Sequence, residues 1–129
     1  MAVTHSTAAR NAATDAVTAL IGASGNLKLR LSGNVGAPGT AVATCPLSAD
    51  AFGDASNGTA TANAITSDTN ATGNASPVAN ATLETSGGTV VIHCAVGASG
   101  SDITMSGGLT IAAGDTVEVS GLTYTALTA

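Results

Sequence analysis

Residues 26–32 read Asn26-Leu27-Lys28-Leu29-Arg30-Leu31-Ser32, and their strict two-residue alternation decides the fold class. Successive side chains on a β-strand point to opposite faces, so Leu27, Leu29 and Leu31 share one face and Lys28 and Arg30 the other. A helix would scatter the three leucines around its axis. The stretch therefore predicts a strand with an apolar inner face and a basic outer face, the latter meeting solvent or the acidic surface of a partner.

Downstream, the same kind of reading repeats. Gly33, Gly36, Pro38 and Gly39 punctuate a loop before residues 40–45, a strand with small side chains on both faces and room for the helix to approach, its pairing ended by Pro46. Residues 47–57 are irregular and held by a buried Phe52; residues 59–65 alternate Ala60, Ala62 and Ala64, which suits a tightly packed strand, with a short helix as the competing reading. Residues 66–76 are rich in turn formers and predict a long exposed loop. Ser86, Gly87 and Gly88 separate residues 77–85 from residues 89–96, which is the pattern of a hairpin. In its second arm Val90, Ile92, Cys94 and Val96 oppose Val91, His93 and Ala95, predicting a central strand covered on both sides. Residues 103–106, 109–112 and 116–120 add short strands, and a bulge at Gly121 brings Leu122, Tyr124 and Ala126 back to the core. About seven or eight short strands divided by frequent turns predict a mainly β protein, an antiparallel sandwich or barrel-like body.

Upstream lies the one helix. Across residues 7–21, Ala9, Ala12, Ala13, Ala16, Val17, Leu20 and Ile21 recur at three- and four-residue spacing, against Arg10, Asn11, Thr14, Asp15 and Thr18. Ser6 or Thr7 can cap its start, and Gly22 or Gly25 its end. The alanine stripe is expected to pack on the sheet or at a protomer interface. Residues 1–6 precede it as an arm, and residues 7–129 form a single domain.

A chain of 129 residues with a single Phe, a single Tyr and no Trp builds its core from small pieces, so association is expected to supplement the stability of a lone protomer. With three basic residues against eight acidic ones and a net charge of −5, it lacks the basic patch a nucleic-acid partner requires. No run approaches the roughly 20 apolar residues of a membrane span. The start lacks the basic-then-apolar pattern of a secretory signal, so synthesis in a cytoplasm is expected, with Cys45 and Cys94 as packed thiols in preference to one disulfide.

No assembled chemistry is legible. Of the two histidines, His5 lies in the arm and His93 faces away from Cys94, its neighbour on a strand; Cys45 with His93 is the one remaining pair. Two cysteines so far apart have no zinc spacing, and Asp50 with Asp54 or Asp68 with Asn70 match no calcium loop. The expectation is no catalytic residues, no metal, no cofactor and no enzyme.

Three stretches, THSTAARNAATDAVTALIGASG (residues 4–25), AFGDASNGTATANAITSDTNATG (51–73) and LTIAAGDTVEVSGLTYTA (109–126), together resemble small structural proteins of tailed-bacteriophage head modules, and among them the capsid decoration, or cement, proteins. The resemblance implies a virion protein on the exterior of the capsid, commonly trimeric, whose partner is the major capsid protein and which reinforces contacts between capsid subunits. It carries over no functional residues. The candidate capsid-binding residues are Val3, Thr4 and His5 in the arm, and Lys28 and Arg30 if the shell surface is acidic. A receptor- or carbohydrate-binding β-module of a phage tail or cell surface is the alternative, although its aromatic loop residues are sparse here.

Overall fold

The computed structural model describes residues 3–105 and 107–128, so Met1 and Ala2 of the expected arm and Ser106 of an expected strand lie outside the described residues. The elements are α1 (Thr7–Ala19), β1 (Asn26–Arg30), β2 (Ala41–Pro46), β3 (Thr59–Thr61), β4 (Asn80–Glu84), β5 (Val90–Gly97), β6 (Ile103–Thr104) and β7 (Thr123–Thr125). The protein is mainly β: a five-stranded sheet of order β2-β1-β4-β5-β6, curled into a half-barrel, and a two-stranded sheet of β3 and β7.

The leucines of β1 set the core. Leu27 pairs with Cys45 on β2 and Leu83 on β4, which in turn faces Ile92 on β5; Leu29 pairs with Ala43 and Ala81, and Ala81 with Cys94. These two rows, all buried, run straight across the concave side of the sheet. Phe52, Ile111 and Leu122 from the connecting segments and Ala60 from β3 complete the buried cluster, so Phe52 is the buried anchor its sequence context predicts.

Several expectations are corrected. β5 is not covered on both sides, because His93 and Ala95 are exposed while Ile92, Cys94 and Val96 are buried. The strand buried on both faces is β4, whose Asn80, Thr82 and Glu84 would read as a polar outer face. β2 does end at Pro46, which makes the last pair of the strand, with Asn26, while its carbonyl accepts from Thr66 N at 2.9 Å. β5 and β6 run parallel, an exception in an otherwise antiparallel molecule.

Residues 109–112 and 116–120 form no strand, because their backbone groups go to loops. Val78 N donates to Leu109 O and Asn74 N to Ile111 O, each at 2.8 Å, and Val117 makes a single bridge with Asp68. Residues 66–76 are the exposed loop that the sequence predicts, pinned to the body where Ala71 is buried and Gly73 N donates to Val42 O. Gly73 has φ +71°, and a Cβ there would fall 2.3 Å from Ala113 N, so only glycine fits. Beyond Gly121, buried Leu122 and half-buried Tyr124 face the core as expected, while Thr123, Tyr124 and Thr125 pair with β3 in the second sheet.

Candidate interaction surface

α1 docks chiefly through the polar residues that its sequence assigns to solvent, joined by half-buried Val17, which packs against the core, and by buried Ile21 just beyond the helix end. Ser6 caps it, its Oγ accepting from Ala9 N at 3.1 Å. Thr14, fully buried at 0% exposure, and Thr18 are the buried residues of the helix, whereas Ala8, Ala9, Ala12, Ala16, Ala19 and Leu20 are exposed. The expected packing of the alanine stripe on the sheet is therefore corrected, as is the approach of the helix to β2; its partners are β3 and the turn before it.

The physical reason is that turn. Asn57 and Gly58 are both left-handed, at φ 51° and 82°, and the reversal presents bare peptide groups to the helix. Buried backbone groups need partners, and short polar side chains supply them. Asn11 Oδ1 accepts from Gly58 N at 2.7 Å, Thr14 Oγ1 donates to Gly58 O at 2.6 Å, and Asp15 Oδ1 accepts from Ala55 N at 2.8 Å. Thr14 Oγ1 also accepts from Ala126 N at 3.1 Å, and Arg10 donates to Asn57 O at 3.2 Å. Five polar contacts thus hold a helix that buries little apolar surface. Sequence reading missed them, although Asn11, Thr14 and Thr18 have helical spacing as regular as that of the alanines. The usable signal was that most of these residues have short side chains suited to bonding backbone.

What remains outside is an uncharged face of small side chains, with Leu20 at 66% exposure at one end and Val3, at 78%, ahead of the other. Thr4 and His5 are exposed beside Val3.

The other two sequence candidates lie elsewhere. Arg30 does not face solvent: it is only 8% exposed and lies along the sheet, its Nε donating to Thr82 Oγ1 at 2.9 Å, one terminal nitrogen to Gly39 O, and the other to Glu84 Oε2 at 2.9 Å. Lys28, half-buried, places its Nζ 2.8 Å from Glu84 Oε1. Glu84 itself is 1% exposed. Burial alone would raise its carboxyl, but hydrogen bonds from Lys28 and Arg30, the charge of Lys28 and a hydrogen bond from Thr82 outweigh that, and Glu84 ionises below its ordinary value. The basic face of β1 is thus occupied by an acid from the next strand, a pairing that no local pattern announces.

The remaining reactive groups are dispersed. Cys45 and Cys94 are free and buried on the core side, with β1 and β4 between their strands, and His93 is on the opposite face of the sheet from both. Burial, then the charge of Asp102, pushes the Cys94 thiol up to about 11; burial also raises Cys45. Both are protonated at neutral pH and poorly nucleophilic. Asp68 uses one carboxylate oxygen on Thr44 N and the other on Asn70 N, as a turn cap does. Among the described residues no group of three or more His, Cys, Asp or Glu side chains is placed to hold a metal ion, and no helix is long and apolar enough to cross a membrane.

No protein-family model, curated protein or solved structure matches the chain.

Proposed function

We propose that this chain is a structural virion protein of a tailed bacteriophage, bound as a homo-oligomer to the outer surface of the capsid, where it stabilises contacts between major capsid subunits. The resemblance of its three quoted stretches to decoration proteins supports this reading. The observation that carries it to particular residues is the outer face of α1. Ala8, Ala9, Ala12, Ala16 and Ala19 leave nothing longer than a methyl group between the helix backbone and a partner, and no charge has to be desolvated as a large flat surface approaches. Weak contacts of this kind sum over many copies on one shell. Of the earlier candidates, Val3, Thr4 and His5 adjoin this face, whereas Lys28 and Arg30 are engaged by Glu84.

Ala12→Glu and Ala16→Glu place a charge on the exposed face, so both variants should keep the wild-type unfolding free energy to within about ±0.5 kcal/mol, the range of surface substitutions. Mixed with purified expanded heads, they should lose shell occupancy, read by co-sedimentation and by imaging for added density between capsid subunits. Full occupancy by both variants would remove the helix face from the mechanism. Heads that never take up the wild-type protein would remove the decoration reading itself.

A further inference from the structure

The half-barrel has an open seam. β6 is the last strand of the main sheet, and the segment 116–120 runs across a groove from it. The groove has a volume of about 390 Å³; buried Leu29 and Ile111 lie in it, and half-buried Ile103, Met105, Val117 and Val119 line it. Its walls offer backbone as well as apolar surface. Val117 spends both its N–H and its C=O on Asp68, at 2.7 and 2.9 Å, so the peptide groups of Thr116 and Glu118 turn to the opposite side, as alternation along an extended chain requires. Met105 N donates to Gly97 O at 2.8 Å, and by the same alternation Thr104, paired with Gly97, turns its N–H and C=O away from β5. Two facing edges over an apolar floor are what an added strand needs.

We infer that this groove accepts the arm of a second copy of the chain, residues 3–6, as an inserted strand. The arm enters α1 in an extended conformation, with φ −62° and ψ 158° at Ser6, and Val3 is the most exposed large apolar residue described. In its own chain Val3 therefore remains unburied, while the groove's half-buried residues lack a covering strand. Charge is compatible, because the groove carries the exposed acids Asp115 and Glu118 and residues 3–6 contain no acid. Val3 then sits over Leu29 and Ile111, and Thr4 faces outward. One short strand is small beside a standard interface of roughly 1,600 Å², so the association is concentration-dependent. This link between copies is separate from the shell contact proposed for the helix face, and it concerns the protein free in solution.

Sedimentation of the full chain from micromolar to millimolar concentration should show a weight-average mass that rises above the monomer. Val3→Asp, at an exposed position that leaves the fold intact, should weaken the association by an order of magnitude, as should Val119→Lys in the groove. The paired variant Thr4→Cys with Thr104→Cys, both on the outward face, should form intermolecular disulfides on mild oxidation, seen as linked species on a non-reducing gel. A chain monomeric throughout, association unchanged in Val3→Asp, or association abolished by Ala12→Glu instead would each overturn the inference. Shell occupancy is measured separately, so either proposal can fail alone.

Discussion

Two buried polar clusters hold this molecule together, and they work by different physics. Under α1, neutral side chains of Asn11 and Thr14, together with Asp15, satisfy the peptide groups of a left-handed turn. On the sheet, Glu84 binds Lys28 and Arg30, with Thr82 bridging between Arg30 and Glu84. The first cluster matches donors to acceptors that the backbone would otherwise leave unpaired. The second gathers two cations around one carboxylate, which is tolerable out of water only while all three charges are present. Removing one member should therefore cost more on the sheet than under the helix, and the sheet cluster should give way to acid only as pH falls through the lowered value of Glu84.

The largest effect is expected for Glu84→Gln, which retains shape and some hydrogen bonding but leaves two cations without their anion. A loss of about 3–5 kcal/mol is expected by chemical denaturation, the usual range for breaking a buried ion pair. If the loss is under 1 kcal/mol on the scale of an exposed pair, water reaches the cluster and the contrast collapses. Next comes Thr14→Val, nearly isosteric, which strands Gly58 O and Ala126 N together. About 2 kcal/mol is expected, with the far-ultraviolet helix signal falling ahead of the sheet if the helix comes away as a unit.

The smallest effect distinguishes the clusters by pH. Because Glu84 ionises more readily in the folded protein than in the unfolded chain, its contribution is fully present above the unfolded value and is lost as pH falls through the lower, folded one. Lys28→Met should flatten that acid limb of a stability-against-pH curve by removing one of the groups that lower the carboxyl. Thr14→Val should shift the whole curve down without changing its slope there. If the slopes of the two variants cannot be told apart, Glu84 is not the group that acid attacks.

The fold class was legible because its signal is local. Alternation at 26–32 named the core leucines, the glycines at 87 and 88 named the hairpin between β4 and β5, and Ser6 named the helix start. The short segments after residue 105 were harder, since apolar alternation shows that a stretch is extended but not whether a neighbouring strand exists to pair with it. Val117 alternates as well as any strand residue and finds only Asp68.

The composition and periodicity of this chain determined a small, weakly charged, mainly β protein with one amphipathic helix and a core of aliphatic side chains. Only the tertiary structure decided which side of that helix faces inward, and which cations remain for a partner. A helix's apolar stripe is inward only when it meets apolar surface; here the surface it meets is a turn of unpaired peptide groups, and Asn11, Thr14 and Asp15 satisfy them where alanine cannot. Likewise Lys28 and Arg30 read as an outer face until Glu84, more than 50 residues away in sequence, is set beside them by the pairing of β1 with β4. Both reversals depend on partners distant in the chain, which local periodicity does not encode.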